Sequence, residues 1–365
     1  MHPVTFRPSA VDGAARAGVA TTARGPYTTP CFMPVGTRGA VKYLSADDYE
    51  RLGVQIVLGN TYHLMLRPGA DVVARFGGLG RFAGWGGLTL TDSGGYQVFS
   101  LEPKVDDDGV TFRSTYDGST HRLSPEAAVR VQEQLGADIQ MVLDVCPPLP
   151  SPPEVVELAV KRTALWAARA RSSHRRADQA LFGIVQGGTS AELRRASAEH
   201  TAGLDFDGYG IGGLSVGETR DEMLPALAAA LEPLPADRAR YLMGVGDPAS
   251  MVEAIALGVD QFDCVLQTRL GRHGTALTAA GKVQVKAARH GVEDLPIDAS
   301  CTCAVCARHS RGYLRHLFSV AEPSASRLLT LHNVAWTLQL MTAAREAIEE
   351  QRFAKFREDV LRVWG

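Results

Sequence analysis

Six short polar stretches in the 365-residue chain carry the residue types that nucleophilic and acid–base chemistry requires, and each follows a short apolar run. They read Gly59-Asn60-Thr61, Thr91-Asp92-Ser93-Gly94-Gly95-Tyr96, Leu143-Asp144-Val145-Cys146, Val185-Gln186-Gly187-Gly188, Gly212-Gly213-Leu214-Ser215-Val216-Gly217-Glu218 and Phe262-Asp263-Cys264. Singly, each has an ordinary explanation. An aspartate after a strand is often a helix N-cap, and Gly-Gly is usually a tight turn. In succession they are harder to read as caps alone. Two carboxylates facing one cavity can divide labour: one attacks or stabilises a cationic centre, the other shuttles a proton. An amide beside a carboxylate can read the edge of a planar heterocycle, and bare glycine N–H groups let a ligand carbonyl approach closely. Those parts point to glycosidic-bond chemistry on a nucleobase or a sugar.

A second cluster, Cys301-Thr302-Cys303-Ala304-Val305-Cys306, has the spacing C-x-C-x-x-C. A closed tetrahedral site needs a fourth ligand, and His332 follows 26 residues after Cys306. His309 and His316 are rivals for that place, although both read better as surface residues of a helix. Three thiolates and one imidazole suit a structural zinc ion, Zn2+, with no position left open for catalysis.

Residues at strand ends act together only if the strands end together. Near-continuous apolar runs predict strands at Cys31–Val35, Val54–Gly59, Leu88–Thr91, Ile139–Leu143, Leu181–Val185, Tyr209–Gly212, Tyr241–Gly244 and Gln261–Val265. Amphipathic stretches lie between them. Ser124-Pro125-Glu126 opens one helix with an N-cap and a first-turn proline. Others are expected at Pro153–Arg176, Ala191–Gly203, Thr219–Leu231 and Pro248–Leu257. Eight strands with helical crossovers predict an α/β fold, a parallel (β/α)8 barrel of the triosephosphate-isomerase type, whose chemistry sits where strands end. A doubly wound open sheet would give a similar pattern. Tyr116-Asp117-Gly118-Ser119, between the alternating segments Val110–Thr115 and Thr120–Leu123, predicts a hairpin inserted after the third strand. The expected organisation is one catalytic barrel domain over 1–365. Within it, 274–332 is an inserted zinc-binding subdomain and 333–365 a helical segment packed on the barrel.

Composition narrows the class. The net charge of -2 excludes a globally basic nucleic-acid coat protein but leaves room for a local patch. Between Cys264 and His332 nine basic residues face four acidic ones, so this segment is +5 and the remainder -7. That polarity fits a phosphate-backbone footprint beside the strand ends. No apolar run approaches the roughly 18 residues of a membrane span, and the N-terminus lacks the pattern of a secretory leader. Six cysteines, three of them scattered, do not make a disulfide scaffold, so a reducing cytoplasm is the expected compartment.

From about Thr29 to the C-terminus the chain closely resembles the bacterial tRNA-guanine transglycosylase family. The resemblance rests on Gly59-Asn60-Thr61-Tyr62-His63-Leu64, Thr91-Asp92-Ser93-Gly94-Gly95-Tyr96-Gln97-Val98, Gly183-Ile184-Val185-Gln186-Gly187-Gly188, Gly212–Glu218, Arg240-Tyr241-Leu242-Met243-Gly244-Val245-Gly246, Phe262-Asp263-Cys264-Val265-Leu266 and the cysteine–histidine set, in this order. It implies exchange of guanine at the wobble position of tRNAs with a G-U-N anticodon for 7-aminomethyl-7-deazaguanine, a step in queuosine biosynthesis. Asp263 matches the family nucleophile that attacks C1′ of the ribose, and Asp92 the general acid/base. Asp144 would accept from the base N1–H and amine. Gln186 and the Gly213 N–H would hold its O6, and the Leu214 carbonyl would meet the aminomethyl group. Tyr96 and Met243 would sandwich the ring, with Ser93, Gly94 and Gly95 around it. Asn60 would orient Asp263 or the ribose. Gly244, Val245, Gly246, Asp247, Pro248, Ala249 and Ser250, with Thr268, Arg269, Leu270, Gly271 and Arg272, match segments that contact the anticodon loop. The zinc ligands would be Cys301, Cys303, Cys306 and His332.

Cys146 and Val216 match bacterial pocket residues, and Tyr313 and His316 match aromatic positions at a homodimer interface. Gln267 stands where the family usually has proline, Leu270 where it has a small polar residue, and Val145 where many members have an acid. The competing reading is a non-catalytic tRNA-binding paralogue, against which both Asp92 and Asp263 speak. A zinc-dependent hydrolase would need an open metal position. A sugar-specific glycosidase would leave the basic segment, Asp144 and Gln186 without a purpose.

Overall fold

The computed structural model describes residues 2–365. Eight parallel strands close into a barrel: strand 1 (Cys31–Gly36), strand 2 (Ile56–Gly59), strand 3 (Leu88–Thr91), strand 4 (Ile139–Met141), strand 5 (Ala180–Val185), strand 6 (Gly208–Ile211), strand 7 (Ala239–Leu242) and strand 8 (Gln261–Cys264). Strand 8 pairs with strand 1 through Gln261↔Cys31 to Cys264↔Pro34, which closes the ring and excludes the open sheet. Most strand residues are buried, as parallel strands covered by helices must be. All eight expected strands are present, strand 3 with the expected ends and the others with shifted ones. Strand 7 starts two residues early because Ala239 and Arg240 pair with Gly208 and Tyr209 of strand 6, and the pairing ends at Ile211↔Leu242. Met243 and Gly244 therefore belong to the loop above it.

Local chemistry starts the crossover helices. Ser124, Ser190, Thr219 and Asp247 accept an N–H three residues on, and Pro125, Pro153 and Pro248 occupy first turns. The expected hairpin after strand 3 pairs Gly109–Arg113 with Thr120–Leu123, and Lys104–Asp106 adds a third strand.

Two features differ from the expectation from sequence. Thr5–Asp12, Ala15–Thr22 and Gly25–Thr29 form an antiparallel sheet before the barrel. Arg16 anchors it, reaching Asp260 from Nε at 2.9 Å and from the guanidinium end at 2.6 Å. The other feature is a 27-residue helix, Pro323–Glu349. It runs through the expected boundary at 332/333, so the metal-bearing segment and the C-terminal segment share one helix. Asn333 on this helix accepts the Leu277 N–H at 2.9 Å and donates to the Thr275 and Gln267 carbonyls at 2.9 and 3.1 Å. No helix among the described residues is long and apolar enough to cross a membrane.

Candidate active site and metal centre

The C-terminal ends of the barrel strands gather the carboxylates onto one rim. Asp92 follows strand 3. Its Oδ1 accepts the Thr61 N–H at 2.8 Å and the Gly94 N–H at 3.1 Å, and its Oδ2 accepts Asn60 Nδ2 at 2.6 Å. Asn60 therefore holds Asp92 rather than Asp263. The physical reason is strand order: the end of strand 2 lies beside strand 3, and strand 1 separates it from strand 8. Burial pushes the Asp92 carboxyl up to about 7. The two N–H bonds pull the other way, and the charges of Asp263 and Asp144 add to the rise.

Asp263, on strand 8, keeps one oxygen free. Tyr241 Oη donates to its Oδ1 at 2.6 Å and the Gly244 N–H donates to the same atom at 2.7 Å. Oδ2 has no hydrogen-bond partner among the described residues. Burial raises this carboxyl too, against those two bonds. Tyr241 was missed in the sequence reading, yet a signal existed. Period two along the expected strand Tyr241–Gly244 puts it on the same face as Met243.

Asp144 and Gln186 form the floor of the site. Gln186 Nε2 donates to Asp144 Oδ2 at 2.6 Å, and Ser93 Oγ reaches Oδ1 at 3.4 Å. Burial lifts Asp144 to about 6. Gly213 has φ +63°, and a Cβ there would lie 2.2 Å from Gln186 Oε1, so only glycine fits this close approach. Tyr96 is 61% exposed and Met243 partly buried, which leaves both at the open mouth. Cys146 lies buried behind Asp144.

Two further residues shape the floor. Arg194 is fully buried and donates to the carbonyls of Gly188 (2.8 Å), Val185 (3.1 Å), Gly212 (2.6 Å) and Gly213 (2.9 Å). It knots the loops after strands 5 and 6 together. No sequence signal marks it, since an arginine inside a polar helix reads as solvated. Glu218 accepts the N–H groups of Ser215 and Val216, holding Ser215 at φ +66°.

The segments expected to meet RNA divide by burial. Val245, Gly246, Pro248, Ala249, Ser250, Thr268 and Gly271 are buried. Gly244, Asp247, Arg269, Leu270 and Arg272 reach the surface to differing degrees. Gln267, at the proline position of the family, is fully buried and donates from Nε2 to the Gly246 carbonyl at 2.9 Å. It ties the loop after strand 7 to the helix after strand 8.

The donor atoms of Cys301, Cys303, Cys306 and His332 all lie within 4.8 Å of one another. His332 Nδ1 is 3.3 Å from Cys306 Sγ and 3.6 Å from Cys303 Sγ, while its Nε2 meets the Leu277 carbonyl at 2.8 Å. That carbonyl fixes Nε2 as the protonated nitrogen and turns Nδ1 toward the sulfurs. The donor set and its fixed tautomer fit a closed metal site. His309 instead stacks on Tyr313, with centroids 5.2 Å apart.

Comparison with known proteins follows the same lines. A family profile described as "Queuine tRNA-ribosyltransferase" matches residues 12–365. A queuine tRNA-ribosyltransferase of Herpetosiphon aurantiacus is 51% identical over 363 residues, covering 99% of this chain and 93% of the relative. One from Solidesulfovibrio magneticus is 50% identical over 98% of this chain and 97% of its own length. One from Symbiobacterium thermophilum is 51% identical over 96% of this chain and 88% of its own length.

Proposed function

The chain belongs to the queuine tRNA-ribosyltransferase family, whose members are pentosyltransferases, and from that premise we propose how its rim performs base exchange on tRNA. The reaction replaces guanine at the wobble position of G-U-N anticodon tRNAs with 7-aminomethyl-7-deazaguanine by double displacement. Asp263 Oδ2 attacks C1′, the C1′–N9 bond breaks, and its electron pair leaves on guanine. Asp92 gives that guanine its proton. The incoming base then surrenders a proton to Asp92 and displaces Asp263 from C1′. Two inversions retain the configuration, by the logic of retaining glycosidases.

One observation carries this reading. Both donors to Asp263 converge on Oδ1 and leave Oδ2 with its lone pairs, while the neighbouring Asp92 titrates near neutrality. A nucleophile must be ionised and a proton shuttle must sit near the working pH. Asp144, Gln186, the Gly213 N–H and the Leu214 carbonyl would read the base between Tyr96 and Met243. Arg269 and Arg272, with Gly244, Asp247 and Leu270, would meet the anticodon loop. We assign zinc to Cys301, Cys303, Cys306 and His332, where it would supply a tetrahedral cross-link and take no part in the chemistry. Tyr313 is 45% exposed, and His316 is exposed one turn along the same helix. That supports a homodimer across this face, and the cytoplasm is the compartment in which such an enzyme meets its tRNA.

The test is incorporation of labelled guanine into unmodified tRNA-Tyr transcript by wild type, Asp92→Ala and Asp263→Ala. Wild type is expected to exchange guanine and Asp263→Ala to lose at least about four orders of magnitude. Exchange that survives in Asp263→Asn would overturn the covalent scheme. No exchange by folded, metal-loaded wild type would favour the binding-only paralogue.

A further inference from the structure

A cationic cluster sits on the barrel rim away from the strand 7 and strand 8 loops. Tyr116, at the tip of the inserted hairpin, has the Arg67 guanidinium carbon 4.7 Å and the Arg38 guanidinium carbon 5.5 Å from its ring centroid. Both arginines are exposed. Neither has a carboxylate or a hydrogen-bond acceptor in reach among the described residues. The adjacent Asp117 is turned away, accepting the N–H and Oγ of Ser119 at 3.1 and 2.7 Å. The cluster is held firmly from below. His63 Nδ1 meets Tyr116 Oη at 2.8 Å, and Tyr62 Oη accepts the Thr115 N–H at 3.1 Å. Tyr62 and His63 belong to the short Thr61–Leu66 helix, whose first N–H holds Asp92.

Two guanidiniums on one ring, with no acid between them, repel each other. Such an arrangement is stabilised by an anion that the protein does not itself supply. A cation–π contact with one tyrosine restrains each guanidinium and leaves its N–H groups free of acceptors. Those groups match a phosphate oxygen pair. Placement names the kind of phosphate. Arg38 follows strand 1, Arg67 follows strand 2 and Tyr116 follows strand 3, whereas Arg269 and Arg272 follow strand 8. Asp92 and Asp263 lie at the ends of strands 3 and 8. A polynucleotide whose ribose reaches those carboxylates has phosphodiesters on both sides of it, and the two arginine groups lie on different arcs of the rim. We propose that Arg38, Arg67 and Tyr116 form a second RNA-backbone site, which grips the phosphodiesters on the side of the target nucleotide remote from Arg269 and Arg272. This rests on the reading of the rim as a tRNA-modifying site.

The experiment measures tRNA binding across a salt series for wild type, Arg38→Gln/Arg67→Gln, Arg38→Lys/Arg67→Lys and Arg269→Gln, with melting temperature and metal content checked for each. The glutamine pair is expected to bind tRNA about tenfold more weakly near physiological salt and to lower the slope of log Kd against log salt by about one to two. The KM for the free base should not move. The lysine pair should recover the slope, because charge alone sets counterion release, and only part of the affinity, because the guanidinium fork is lost. If the glutamine pair matches wild type in affinity and slope while Arg269→Gln lowers both, this site is wrong and the tRNA reading stands. If wild type shows no salt-dependent tRNA binding at all, the tRNA reading itself fails. A glutamine pair that loses its fold is judged on the lysine pair: wild-type affinity there would exclude the guanidinium fork.

Discussion

Asp92, Asp144 and Asp263 come to the rim from three different strand ends, and their donors leave Asp263 Oδ2 open. Cys301, Cys303, Cys306 and His332, by contrast, turn every donor inward to within 4.8 Å of one another, and the spare nitrogen of His332 is capped by a backbone carbonyl. One region keeps an unsatisfied atom at the cost of raised carboxyl pKa values, and the other keeps none. Reactivity needs the first condition. A structural cross-link needs the second.

Metal removal should separate the two regions most sharply. A strong chelator, or Cys303→Ser, is expected to lower stability by on the order of 5 kcal/mol and to melt the segment beyond Gly274. Activity should fall together with helical signal in calorimetry-matched samples. Activity lost at unchanged melting temperature would make the metal catalytic and erase the contrast.

Next in size is Arg194→Met. It would leave the buried carbonyls of Gly188, Gly212 and Gly213 without a donor, while Val185 keeps the Gly212 N–H at 3.1 Å, and about 3–5 kcal/mol of stability should go with them. Chemical denaturation reads this. A loss below about 1 kcal/mol would mean that the loops after strands 5 and 6 hold themselves.

Asp92 tests the open side of the comparison through pH. Its carboxyl titrates near 7 in the folded protein, against 3.8 ordinarily. The protonated acid that must release guanine is therefore lost as pH rises through 7. Single-turnover formation of the covalent intermediate should fall about tenfold per pH unit above that point. In Asp92→Asn the rate should be lower by about two to four orders of magnitude and show no such limb. Stability follows the same sign. The folded state holds the proton more tightly, so wild type loses stability as pH rises from about 4 to 7 and no more beyond that, and Asp92→Asn should flatten this slope. A rate limb that persists in the variant would move the proton shuttle to another group.

The smallest effect belongs to Gln267→Leu. It removes the bond to the Gly246 carbonyl, worth about 1 kcal/mol, and should raise the KM for tRNA several-fold while leaving the KM for the base alone. Equal changes in both would show that the bond only stabilises the fold.

Much of this was legible in the chain. All eight barrel strands stood out because strands buried on both faces must be apolar almost throughout. The cysteine cluster stood out because three of its four ligands fall within six residues. The N-terminal sheet did not. Its strands are short in large apolar residues, and Pro8 sits at an irregularity in the pairing, so no periodicity announces them. Of the long Pro323–Glu349 helix only the part after residue 332 was expected, within the helical segment 333–365, because its buried face mixes Thr330, His332, Asn333 and Thr337 with apolar residues.

Residue type and order alone determined which groups could react, the eight strands that carry them, and the three-thiolate cluster, because hydrophobic period and local ligand spacing are properties of the chain. Tertiary structure alone decided that Asn60 serves Asp92, that Tyr241 and Gly244 share one oxygen of Asp263, that Arg194 joins two loops, and that two unpaired arginines meet on Tyr116. Each of these pairs residues from different strand loops, and the distance between such residues is set by barrel closure, which no local pattern encodes.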